Sequence, residues 1–128
     1  MFGGELLNQP NVELALVFAL FVGHALGDYP LQGDFLAAWK DRNTPPPIGM
    51  PRHLWIHCLT AHSTIHGGLV FLITGSLLLG LIEVALHWVI DFMKCEKWIN
   101  FHVDQLLHLA CKLGYVLYLW SQHSGNGG

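Results

Sequence analysis

Charge is what this chain has least of. Only 12% of its 128 residues are Asp, Glu, Lys or Arg, about half the roughly 25% usual in soluble domains. Between Arg52 and Glu83, thirty consecutive residues carry none. A soluble domain this small needs charge to cover its surface, so the deficit argues for a membrane-embedded chain, with a compact soluble bundle as the alternative. The net charge is −3 and the six basic residues are scattered, which excludes a nucleic-acid footprint. Cysteine is scarce too. Cys58, Cys95 and Cys111 are odd in number and form no CxxC spacing, so they imply neither a disulfide framework nor a zinc knuckle. The opening MFGGELLNQP carries an acid where a cleavable signal peptide needs a basic n-region, and none is expected. The closing SGNGG reads as flexible. The length suits a single domain over 1–128.

Apolar residues fill the rest, at 52% of the chain. Four apolar segments stand out, at about 12–27, 57–74, 77–94 and 103–121, giving an all-α, membrane-embedded four-helix bundle. Pro30 ends the first, because proline disfavours helix at the residue before it. The stretch 31–43, LQGDFLAAWKDRN, reads as a short amphipathic interfacial helix with an apolar stripe of Leu31, Phe35, Leu36 and Trp39. Trp39, Lys40 and Arg42 suit a membrane interface. The four prolines between Thr44 and Pro51 mark a loop. Thr74-Gly75-Ser76 is the preferred turn between the second and third segments, with Gly80 as the alternative. Lys40, Arg42 and Arg52 fall in the first loop and Lys94 and Lys97 in the third. The positive-inside rule makes those loops cytoplasmic and both termini non-cytoplasmic, as in a multi-pass bacterial inner-membrane protein.

Each apolar segment also holds a pair of ligand-type residues four apart: His24/Asp28, His62/His66, His87/Asp91 and Asp104/His108. Residues four apart share one helix face, and the assigned topology puts all four pairs in the cytoplasmic half. Ionisable groups inside a span are costly and mark function. Five imidazoles and three carboxylates suit one or two divalent ions such as zinc, iron or manganese, and helical bundles build metal sites from such pairs. The bland alternative is hydrogen bonding between helices without metal. Glu83 lies one turn beyond His87 and is the candidate general base; a structural partner for Lys112 is its other reading. Gln32 and Gln105 flank the pairs and can orient them. His53 and His57 point away from His62/His66 and read as interfacial, His102 and His123 as exposed, and Tyr115 as a core or belt aromatic.

The segments HALGDYPLQGDFLAAWK (24–40), HSTIHGGL (62–69), HWVIDFMK (87–94) and DQLLHL (104–109) together cover about a third of the chain. In that order they resemble a family of small bacterial and phage membrane proteins catalogued as a domain of unknown function. The resemblance implies the four-helix membrane architecture and touches all four helices. A looser similarity leads to small membrane-bound proteins described as metal-dependent hydrolases. The proline-rich loop and His53 and His57 stand outside the shared pattern.

The leading expectation is a membrane-embedded metal-dependent hydrolase of a lipid-linked or phosphoester substrate at the cytoplasmic face. Bound metal would lower the pKa of a water there. A non-catalytic accessory subunit of a larger membrane complex is the alternative, and a bis-histidine haem protein the third; as partners beyond lipid, a larger membrane complex or a homo-oligomer is expected. The lipid bilayer is the expected partner.

Overall fold

The computed structural model describes residues 10–125. Residues 1–9 and 126–128 lie outside that range, and with them the signal-peptide expectation and most of the flexible-tail one; Ser124 and Gly125 are helical. The described residues form five helices and no strand. They are α1 (Val12–Asp28), α2 (Gly33–Trp39), α3 (Leu54–Thr74), α4 (Leu77–Cys95) and α5 (Phe101–Gly125).

Local signals account for the helix ends. Pro30 follows α1, whose last turn closes with the Tyr29 N–H donating to Ala25 O at 3.1 Å. Gly75 ends α3 in the left-handed conformation (φ 73°), which glycine adopts without a Cβ clash. Ser76 then caps α4, its Oγ accepting from the Leu79 N–H at 3.2 Å. The turn therefore falls at Thr74-Gly75-Ser76, and Gly80 sits inside α4. Asn100 starts α5 by accepting from the Val103 N–H at 2.9 Å. The interfacial helix is shorter than 31–43, because Gly33 takes a positive φ at its start and the chain turns after Trp39. α5 is longer than expected at both ends.

Helices α1, α3, α4 and α5 form a closed ring in that order, and α2 lies against α3. The α3–α4 hairpin is the tightest pair. A Cβ on Gly67 would stand 2.6 Å from Gly80 O, and one on Gly80 2.9 Å from Gly67 O. Only glycine at both places allows that approach.

The outer faces of the helices carry many apolar residues. Leu14, Phe18, Val22 and Leu26 repeat every four residues along the exposed side of α1, while Leu16, Leu20 and His24 line its buried side. Leu77, Leu81 and Val89 on α4, and Leu106, Leu113 and Leu117 on α5, are likewise exposed. At one end the interior is apolar, built from Leu16, Leu20, Val70, Leu79, Tyr115 and Val116. Towards the other, buried histidines, carboxylates and lysines share the interior with Leu54, Cys58, Leu59 and Ile90. By length and apolarity α3 alone is able to cross a membrane; α1 and α2 meet that measure only together, bent by 78° at the break between them.

Candidate metal centre

Every helix of the ring sends a spacing-four pair inward. His24 (α1), His62 and His66 (α3), His87 and Asp91 (α4), and Asp104 and His108 (α5) are all buried, and Asp28 is nearly so. Imidazoles fill the axis: His66 stacks on His87 with ring centres 3.7 Å apart, and His87 on His108 at 4.1 Å.

The eight candidates do not form one shell. Asp28, His62, His66 and His87 each offer a ligand atom, and these atoms lie within 4.8 Å of one another. Asp28 Oδ1 is 3.0 Å from His66 Nε2 and 3.5 Å from His62 Nε2, and His62 Nε2 is 3.1 Å from His87 Nε2. Two ligands on one tetrahedral ion with bonds of 2.0–2.1 Å are separated by roughly 3.3 Å, so the spacing suits a shared cation. The 3.0 Å approach of His66 Nε2 to Asp28 is an ion-pair distance, and the nitrogen has no partner in hydrogen-bond geometry. His62 Nδ1 is also buried without a partner. Buried polar atoms are normally satisfied, and a bound cation satisfies the His66 nitrogen.

Around the quartet the other groups are paired in part, although His24 Nδ1, Asp91 Oδ1 and Asp104 Oδ1 are also buried without a hydrogen bond. His24 Nε2 donates to Gln105 Oε1 at 3.1 Å, and Gln105 Nε2 donates to Asp28 Oδ2 at 3.0 Å. Gln105 thereby fixes Asp28 with Oδ1 towards the α3 imidazoles. Asp91 is held by two ammonium groups, Lys40 Nζ at 2.6 Å and Lys94 Nζ at 2.8 Å. Asp104 lies 3.3 Å from His108 Nε2 and 3.6 Å from Lys94 Nζ. Glu83 accepts from Lys112 Nζ through Oε1 and from the Tyr115 hydroxyl through Oε2 at 2.6 Å. Its Oε1 is also 3.3 Å from His87 Nδ1, which places the His87 proton on Nδ1 and turns the Nε2 lone pair towards the quartet.

The charge balance points to one place. Four carboxylates (Asp28, Glu83, Asp91 and Asp104) face three ammonium groups (Lys40, Lys94 and Lys112). Among the described residues, Asp28 alone of the four has no lysine partner, only imidazoles and Gln105. The uncompensated negative charge therefore sits where the ligand atoms converge.

This arrangement separates the chain from chance polar pairing, and the comparison with known families agrees in extent. The model of the family described as "Protein of unknown function (DUF3307)" matches residues 16–125. The chain belongs to that family. The DUF3307 match spans all five helices and every residue of the polar centre. No curated protein and no solved structure matches the chain.

Some members of the centre were not legible as such in the sequence. Lys40, expected at the interface, is buried beside Asp91, and its Nζ also donates to Gln32 Oε1 at 2.6 Å. Lys94, expected in a cytoplasmic loop, ends α4 with its ammonium reaching inward. Tyr115, read as a core or belt aromatic, carries a hydrogen bond to Glu83. The signal was available for two of them: Glu83, His87, Asp91 and Lys94 continue one face of α4, and Asp104, His108, Lys112 and Tyr115 one face of α5. His53, His57, His102 and His123 are exposed and take no part. Arg42 and Glu96 pair outside the centre at 2.6 Å. Donating to the Glu96 carboxylate pushes the Arg42 guanidinium up, and Arg42 in turn holds the Glu96 carboxyl below its usual value.

Proposed function

We propose that this protein is a membrane-embedded metal protein whose Asp28, His62, His66 and His87 hold one divalent ion, and that it hydrolyses a phosphoester or lipid-linked substrate at the cytoplasmic face. The carrying observation is the convergence of those four ligand atoms on the one carboxylate without a lysine partner, beside a buried His66 Nε2 that has no hydrogen bond. Mixed imidazole and carboxylate ligands suit zinc, iron or manganese.

Membrane embedding is supported by the exposed leucines on every side of the ring. Along the middle of α4 and α5 the polar groups Glu83, His87, Asp91, Asp104, His108 and Lys112 are buried, so the outer faces there are more apolar than the helix averages, while exposed His102, Gln122 and His123 lie near the ends of α5. A groove of about 400 Å³ between α1 and α3, walled by Phe18, Val22, Leu26, Leu69 and Leu72, is wholly apolar. With the lysine-bearing loops on the inside, the ring crosses the bilayer four times and the polar centre lies in its cytoplasmic half.

The ion supplies Lewis acidity and a water of lowered pKa. The chain supplies the rest. Gln105 orients Asp28, Glu83 orients His87, and Lys94, partly open to solvent beside Asp91 and Asp104, offers a cation to an incoming phosphate. Glu83 acts as a positioning residue, since both of its oxygens are already taken.

Elemental analysis of full-length protein purified in mild detergent tests the metal reading. About one zinc, iron or manganese per chain is expected, lost in Asp28→Asn and His66→Ala; a metal-free wild type sinks it. Phosphate release from anionic phospholipid in mixed micelles, abolished by chelation and restored by the same metal, tests the hydrolase reading.

A further inference from the structure

A second group of ligand atoms lies behind the quartet. Glu83, His87 and His108 are all buried, and one ligand atom of each falls within 4.8 Å of the others. The two groups share His87, which turns Nε2 to His62 and Nδ1 to Glu83. They differ in one respect: Asp28 has no ammonium beside it, whereas Glu83 has Lys112.

The geometry points to a second cation site, formed by Glu83, His87 and His108, that Lys112 fills with its own ammonium, so that the native centre takes one metal ion rather than two. A fixed positive charge against Glu83 repels a divalent ion a few ångströms away and occupies the oxygen that would bind it. Lys112 is 1% exposed and comes from the same helix face as His108, one turn on, so its ammonium is held at Glu83 by the fold. Tyr115 donates to the other Glu83 oxygen and keeps the carboxylate turned to Lys112. With the site closed, the His87 Nδ1 proton stays on the ring and is donated to Glu83 Oε1, which leaves Nε2 for the quartet. Removing the ammonium frees Glu83 Oε1. Glu83, His87 and His108 would then be free to hold a second ion, with the His87 Nδ1 proton released to solvent on binding.

This inference rests on the metal reading, and zinc stoichiometry separates the two. Full-length protein in detergent is stripped, reloaded with Zn²⁺ and passed through a desalting column before elemental analysis. Wild type is expected to retain one zinc per chain, Lys112→Met two, and Lys112→Met with Glu83→Gln one again. Zinc-free wild type overturns the metal reading itself. Wild type with two zinc ions, or Lys112→Met with one, overturns only the role of Lys112. Loss of Lys112 leaves a buried carboxylate unpaired, so that variant is expressed both with and without added zinc. Should it fold only with zinc, the added ion has replaced the ammonium; should zinc fail to rescue it while the double variant folds, the inference falls.

Discussion

The two ends of the bundle share the same helices and differ in what fills the space between them. At the Leu16, Leu20, Val70, Leu79 and Val116 end the interior is aliphatic. At the His24, His62, His87 and His108 end it is a net of imidazoles, carboxylates and ammonium groups. Both ends carry leucine on the outside. In a bilayer, lipid tails are as apolar as leucine, so the aliphatic end gains packing contacts but little from exclusion of water. The polar end is different, because its groups have no acceptable place in the lipid. On the membrane reading proposed above, the polar end sets which helix faces turn inward, and the aliphatic end follows.

The sharpest way to break this comparison is to exchange effects between the two ends. Asp28→Asn removes the one carboxylate without a lysine partner and is expected to weaken zinc binding by more than about 100-fold, beyond the ~10–100-fold typical of outer-shell changes, with helix content unchanged. Competition with a chromophoric chelator reads the affinity, and circular dichroism the helices. Leu20→Ala, at the aliphatic end, is expected to leave zinc stoichiometry intact. On the same membrane reading, its stability cost should lie near the lower limit of the ~2–5 kcal/mol seen for buried leucines, since a leucine facing lipid on unfolding loses packing alone. Loss of metal in Leu20→Ala would show that the two ends are one unit.

A smaller effect is expected at their boundary. Tyr115 belongs to the aliphatic cluster by position and to the polar centre by its hydroxyl. Tyr115→Phe keeps the ring and deletes one hydrogen bond to a charged acceptor, which costs about 1.5–3 kcal/mol and loosens Glu83 behind His87. Thermal unfolding in detergent, with and without zinc, should show a larger loss in the zinc-loaded form.

Smallest of all is the Arg42–Glu96 pair, which lies outside both ends and has a half-exposed guanidinium. The Glu96 carboxyl is held below its usual value by Arg42. Its contribution is therefore present above the ordinary carboxylate range and fades as the pH falls through the depressed value. The melting temperatures of wild type and Glu96→Gln should differ slightly at pH 7 and converge in acid. A gap that widens on acidification would contradict the pairing.

The histidine and aspartate pairs were legible because spacing four is a property of the helix itself. His62 and His66 share a face whatever surrounds α3. The partition among the pairs was not legible. Asp91 and Asp28 look alike in sequence, each four residues after a histidine, yet one is neutralised by Lys40 and Lys94 and the other only faces imidazoles. Lys40 reaches Asp91 across 51 residues of chain, and no local pattern encodes that distance. Its place in an amphipathic stretch suggested the surface, because a lone lysine is ordinarily exposed.

By itself, then, the sequence determined an all-α chain, its apolar segments and the inward-facing pairs, because helix periodicity and the scarcity of charge are local and compositional properties. Tertiary structure alone decided which carboxylates meet ammonium groups and which imidazoles share a centre. Those outcomes depend on the rotation of each helix about its axis and on how closely Gly67 and Gly80 let α3 and α4 approach. Electrostatic pairing is decided over a few ångströms, a scale set only once the four helices have closed into a ring.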